Sequence, residues 1–253
     1  MKESQVIIER IRRVNENYQH LDLAVDEWLC KIKPGQSLLA RVTESWDPYL
    51  REQWWPVSVA PNRLTVERPA SFRYEPGQVA SVLGYIGEPY RYRRTLRNVL
   101  LLAYDTPPTP LLMSVMWLLG NKVSVTLVLL GSATDYKTEH LPPEVEVIKG
   151  INGKAADHKV VLSWPNAVLT AGWADQVFAV VGQDDEMLRF RRIWSLFSEL
   201  RADIPKNFLF GIFQPVQPCG VGACQACYVQ THEGLTPVCV GGPAIDLTLV
   251  KLV

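Results

Sequence analysis

The sequence predicts a multidomain β plus α/β chain: a small antiparallel β-barrel over residues 1–96, a parallel-sheet α/β domain over 97–213 and a compact cysteine-rich module over 214–253. Three observations carry this reading. The first third of the chain breaks into short β-prone segments divided by turn signals. Beyond it, apolar strands alternate with helical periods, and four of the five cysteines then fall between Cys219 and Cys239.

The β-prone segments are residues 21–32, 37–45, 54–60, 63–72 and 79–87, rich in Val, Leu, Ile and Trp. Lys33-Pro34-Gly35, Ala60-Pro61-Asn62 and Glu75-Pro76-Gly77 punctuate them as turns. Short strands at this spacing favour a barrel or sandwich. The second region reads as strand 98–103, helix 110–119, then strands 122–130, 145–149, 159–164 and 176–181. Near-continuous apolar strands suit a parallel sheet covered on both faces. Asp184 and Asp185 are placed to cap the following helix, whose Met187, Leu188, Phe190, Ile193, Trp194 and Phe197 fall near a 3.6-residue period. Residues 207–213 are expected to form the last strand before the cysteines. Tyr90-Arg91-Tyr92-Arg93-Arg94 and Arg97 read as a charged interdomain linker.

Lys plus Arg and Asp plus Glu both number 26, so the formal charge is zero and nothing in the composition favours nucleic acid or anionic lipid. The charged N-terminus lacks the apolar core of a secretory signal. The apolar run Pro110 to Gly120 is shorter than the roughly 20 residues that span a bilayer. A cytoplasmic protein with no membrane span is expected. In a reducing compartment, clustered thiols point to metal or redox chemistry rather than disulfides. Cys30 stands apart as a small core residue.

Cys219, Cys224, Cys227 and Cys239 have the spacing C-x4-C-x2-C-x11-C. Plant-type [2Fe–2S] centres use C-x4-C-x2-C with a distant fourth cysteine, and the first loop must wrap the cluster so that backbone N–H groups face its sulfurs. Gly220, Gly222 and Ala223 allow that approach because they carry little or no side chain. Structural zinc is the alternative for four thiolates, although zinc ribbons usually pair two C-x2-C knuckles and only one is present. His232 reads as a surface residue beside an already complete ligand set.

The order of these parts resembles the electron-transfer subunit of the two-subunit, NAD-linked dihydroorotate dehydrogenases, a ferredoxin-NADP-reductase-like family. The resemblance spans nearly the whole chain. It rests on Pro34-Gly35-Gln36, on Trp55-Pro56-Val57-Ser58 at an Arg-Pro-x-Ser-like flavin motif, on Val82 to Gly87 at a Gly-Pro-Leu-Gly turn, on Gly182 with Met187, and on the cysteines with Gly242-Pro243. It implies FAD on the barrel with Ser58 near the flavin, NADH on the α/β domain, and a [2Fe–2S] cluster passing electrons to a partner subunit.

The chain departs from this pattern at both nucleotide sites. Trp55 stands where the family has the arginine that binds the FAD pyrophosphate, and an indole cannot replace a guanidinium there. Arg51, upstream, is the nearest substitute in sequence, and Trp55 is a candidate to fill the flavin site itself. The second phosphate hairpin is missing. In the loop Tyr104 to Thr109, prolines 107 and 108 donate no N–H, and Asp105 sets a negative charge where NADH phosphates would lie. The chain therefore reads as an iron–sulfur electron-transfer or accessory subunit, divergent at the flavin and nucleotide motifs, in which NAD(P)H is not expected and FAD lacks its family ligands. Partner proteins are expected to dock near Gln217 to Tyr228. Two alternatives stand beside this: a working FAD and [2Fe–2S] NADH-oxidising reductase subunit, and a zinc-stabilised structural subunit. His20, His140, His158 and His232 sit in no recognisable nucleophile or metal motif, so no stand-alone catalytic centre is expected.

Overall fold

The structure, a computed structural model, describes residues 2–42, 50–151, 153–154 and 160–252. The N-terminal region is an antiparallel seven-stranded sheet formed by β1 (Lys2–Arg13), β2 (Tyr18–Ala24), β3 (Ser37–Val42), β4 (Glu52–Trp54), β5 (Pro56–Ala60), β6 (Arg63–Pro69) and β7 (Val79–Ile86). Their order is β4-β3-β7-β1-β2-β6-β5. The two edge strands are consecutive in sequence with only Trp55 between them, so the chain itself joins the sheet edges and curls the sheet into a half-barrel. Strand β1 does not follow from the expected segments, because its charged residues hide two buried core positions, Val6 and Ile8. Only Tyr18–Ala24 opens the 21–32 segment as strand; Leu29–Lys31 is a 3-10 turn. Cys30 is half-buried and packs against the barrel core.

The second sheet contains β8 (Asn98–Tyr104), β9 (Ser124–Leu130), β10 (Glu146–Lys149), β13 (Gln176–Val181), β14 (Leu209–Ile212) and β17 (Ala244–Asp246), in the order β10-β9-β8-β13-β14-β17. All pair in parallel except β17, which runs antiparallel to β14. Between β10 and β13 lies a separate hairpin of β11 (Gly153–Lys154) and β12 (Val160–Val161). The 159–164 segment, expected in the main sheet, therefore contributes only to that hairpin among the described residues, and His158 lies outside them.

Helix α1 (Thr109–Gly120) covers one face of the sheet, and α2 (Ala167–Trp173) and α3 (Glu186–Leu200) cover the other. Alternation along the strands supplies both faces: Leu100, Leu102 and Tyr104 join one core, while Val99, Leu101 and Ala103 join the other. Asp185 takes the N-cap position of α3 with a left-handed backbone (φ 54°) and makes no side-chain cap hydrogen bond. The expected Asp cap is therefore not formed; Glu186 in the first turn accepts the Gln214 N–H through Oε1 at 2.8 Å, which ties α3 to the segment after β14. In the 90–97 linker, Tyr90 is buried and Tyr92 stacks on Trp117 at 4.6 Å, while Arg91, Arg94 and Arg97 face solvent.

The C-terminal module is stitched into both regions. Its hairpin, β15 (Tyr228–Thr231) with β16 (Gly234–Pro237), leads into a single helical turn, α4 (Val238–Gly241), and β17 then returns to the α/β sheet. From the barrel, the Gly87 N–H donates to the Cys239 carbonyl at 3.2 Å and the Glu88 N–H to the Gly242 carbonyl at 2.6 Å. A Cβ on Gly87 would stand 2.9 Å from the Gly242 oxygen, so this turn needs glycine for close approach as well as for its φ of 84°. No helix among the described residues is long and apolar enough to cross a membrane.

Candidate iron–sulfur site and interdomain cleft

The loop 217–227 is shaped by backbone conformations that favour glycine. Gly220 (φ 66°) and Gly222 (φ 76°) are left-handed and turn successive N–H groups toward sulfur. Val221 and Cys224 donate to Cys219 Sγ at 3.5 and 3.4 Å, and Gly222 donates to Cys239 Sγ at 3.1 Å. Ala223 is exposed on the same loop.

The four thiols lie in two environments. Cys227 and Cys239 are 1% and 2% exposed, packed with Val229, Val238, Leu39 and Ile86 between the module and the barrel. Cys219 is half-buried and Cys224 exposed. The N–H groups of Val221 and Cys224 hold the Cys219 thiol down to about 6. Burial, and then the neighbouring Cys227 thiol, push Cys239 up to about 12.

A cleft of about 540 Å³ separates the barrel from the α/β domain. Trp55 is 7% exposed and lines it, packing into the core around α1. Ser58 lies on the exposed face of β5 and is not among the cleft-lining residues. Arg51 is held at the other end of the sheet by Glu3 and the Ser81 hydroxyl. Arg68 reaches the cleft wall, but its guanidinium bonds Glu52 and Tyr74 and lies over the Trp54 ring.

The loop after β8 is closed by its own charges. Asp105 is left-handed (φ 54°) and accepts the Ser132 N–H through Oδ1 at 3.0 Å and the Arg189 Nε–H through Oδ2 at 3.2 Å. Gly131 and Gly182 make room for it. A Cβ on Gly131 would meet Asp105 Oδ1 at 2.0 Å, and one on Gly182 would meet the Asp105 carbonyl at 2.8 Å. The basic side chain nearest this loop is thus committed to an internal carboxylate.

A further cluster has no counterpart in any local motif. His20 of β2, Glu67 of β6 and His140 of the loop beyond β9 bring one ligand atom each to within 4.8 Å of one another. These side chains are separated by up to 120 residues of chain, and nothing in their local sequence links them. His232, by contrast, is exposed as expected.

These features match known proteins in two ways. Residues 218–251 match the model described as the iron–sulfur cluster binding domain of dihydroorotate dehydrogenase B. The C-terminal module is thus similar to an iron–sulfur cluster binding domain. In three dimensions, 98% of this chain superposes on 90% of a chain from the NADH-dependent reduced ferredoxin-NADP oxidoreductase, studied for flavin-based electron bifurcation, with a TM-score of 0.73 at 16% identity. The cytochrome b5 reductase domain of Ulva prolifera nitrate reductase gives a TM-score of 0.55 at 12% identity, over 82% of this chain and 97% of that one. Flavohemoglobin from Malassezia yamatoensis, with bound FAD and heme, gives 0.58 at 12% identity, over 83% and 60%. The half-barrel followed by a parallel sheet is the ferredoxin-reductase-like fold. No curated protein matches the chain in sequence.

Proposed function

We propose that this chain is an iron–sulfur electron-transfer subunit of a cytoplasmic oxidoreductase complex, holding a [2Fe–2S] cluster and receiving electrons from a partner protein. The observation that supports the cluster type is the C-x4-C-x2-C-x11-C spacing on a loop that turns backbone N–H groups toward the Cys219 and Cys239 sulfurs. Two irons bridged by sulfide need two separated pairs of thiolates. A tetrahedral zinc site with bonds of about 2.3 Å would draw all four sulfurs to about 3.8 Å from one another. Zinc ribbons usually pair two C-x2-C knuckles, and this sequence has one.

When bound, such a cluster carries one electron at a time. Cys219, Cys224, Cys227 and Cys239 would hold it. Cys227 and Cys239 are buried, Cys219 is half-buried and Cys224 is exposed, and Val216, Val221 and Val240 are exposed in the same module. Exposed apolar residues in the module that carries the exposed Cys224 suit docking of a redox partner around Gln217 to Tyr228. The N–H groups aimed at Cys219 and Cys239 stabilise negative sulfur and tune the potential.

The chain's own nucleotide sites support a partner as the electron source. NADH phosphates need free N–H groups and positive charge. The loop after β8 offers prolines and Asp105, and Arg189 is already paired. FAD would need a phosphate ligand where Trp55 is buried, and Arg68 and Arg51 are both engaged elsewhere. The second reading, a flavin reductase that uses unfamiliar residues, is favoured by the cleft of about 540 Å³ that stays open beside Trp55.

Anaerobic purification distinguishes these readings. About two irons and two sulfides per chain, with no flavin and no spectral change on adding NADH, is expected. One zinc in place of iron would overturn the cluster assignment, and stoichiometric FAD bleached by NADH would establish the second reading.

A further inference from the structure

The junction between barrel and α/β domain holds a second constellation with metal-ligand chemistry. Glu67 is fully buried at its side chain, and His20 is 13% exposed at its side chain, with Nε2 3.4 Å from Glu67 Oε2. The Thr109 hydroxyl donates to Glu67 Oε1 at 2.5 Å and the Tyr136 hydroxyl to Oε2 at 2.7 Å. His140 Nε2 lies 3.2 Å from the same Tyr136 oxygen. The imidazoles meet edge to face with centroids 5.7 Å apart. Burying a carboxylate is costly unless positive charge compensates it. The side chains able to bring positive charge to Glu67 are His20, at 3.4 Å, and His140 within the same cluster.

We propose that His20, Glu67 and His140 bind a divalent transition ion of the zinc class, clamping the barrel to the α/β domain. Two imidazoles and one carboxylate form a donor set selective for zinc and its neighbours over magnesium or calcium. Bonds of about 2.0–2.2 Å place adjacent donors roughly 3.4 Å apart in a tetrahedral site. The His20–Glu67 separation of 3.4 Å already has that value. Both histidines present Nε2 lone pairs to the ion, so the ring protons reside on Nδ1 and any excess proton is released to solvent. Thr109 and Tyr136 remain hydrogen-bond donors to Glu67 and orient its carboxylate, as outer partners of metal ligands do. Solvent-exposed His140 gives the ion its entry path. The site joins elements from both regions, since His20 and Glu67 come from the barrel and His140 and Tyr136 follow β9.

The test uses the protein with its cluster assembled, so that the four thiols are occupied. After treatment with a chelator, zinc chloride is titrated in, zinc and iron are counted by mass spectrometry after desalting, and the melting temperature is followed. One retained zinc per chain, unchanged iron and a higher melting temperature are expected, with excess magnesium unable to compete. His140→Ala, at an exposed loop position, is expected to weaken zinc binding at least about tenfold. Glu67→Gln should do the same, while His232→Ala should bind as the parent does. No retained zinc, or retention undiminished in His140→Ala, would overturn the proposal and leave the cluster as a hydrogen-bonded interdomain latch.

Discussion

Asp105 illustrates how one side chain changes what a loop can bind. Its carboxylate joins the β8 loop to Ser132 and Arg189, so the loop already holds an anion paired within the chain. Arg189 and Asp105 retain 21% and 26% side-chain exposure, which limits the ion pair to under about 1 kcal/mol. Asp105→Asn should therefore cost little. Asp105→Ala should cost about 1–2 kcal/mol, because alanine tolerates the left-handed backbone poorly and the Ser132 N–H loses its acceptor. Urea midpoints of the two variants test this ordering. Glu186 carries the second prediction. Burial pushes its carboxyl up to about 7, against the Gln214 N–H that favours the ionised form. The folded state then binds more protons than the unfolded one between the ordinary value of 4.5 and about 7. Its contribution to stability is full below 4.5 and is lost as pH rises through about 7. Glu186→Gln should flatten that part of the stability profile. At the cluster, Cys224→Ser should abolish iron binding while the fold survives, because Cys224 is exposed; iron analysis with circular dichroism checks both halves.

Among the elements, those with a clear period were legible in advance. β8, β9, β13, α1 and α3 lie where apolar runs and 3.6-residue spacing place them, because each buries a continuous face in the same core. β1 was not legible, since only Val6 and Ile8 of its central stretch point inward and the rest reads as charged surface. The 159–164 run was misplaced because its apolar residues satisfy a strand pattern in either a sheet or a hairpin, and only pairing decides which. Phe178 of β13 tests where element energetics concentrate. It stacks on Phe210 and Tyr90 at 5.1 Å each, joining two strands and the interdomain linker. Phe178→Ala should cost about 3–5 kcal/mol, seen as a shifted urea midpoint.

At the scale of the molecule, the cluster module is a bridge and not an appendage. β17 closes the α/β sheet, while Gly87 and Glu88 of the barrel hold the backbone around Cys239 and Gly242. Removing iron should loosen the β15–β16 hairpin and the Gly220–Cys227 loop first, leaving β8 and β13 protected. Hydrogen exchange on the iron-loaded and iron-stripped protein would show this, and equal loss of protection throughout would contradict it. The chain by itself carried the C-x4-C-x2-C-x11-C spacing, the glycine-permitted loop between the cysteines and the succession of the two sheets, because short-range spacing and periodicity express local chemistry directly. Tertiary structure alone decided that Cys227 and Cys239 are buried while Cys224 is exposed, that Asp105 takes Arg189, that Trp55 is buried against the cleft, and that His20, Glu67 and His140 meet. Each of those depends on strands brought together across long stretches of chain, where register and crossing, not neighbouring residues, set the distances.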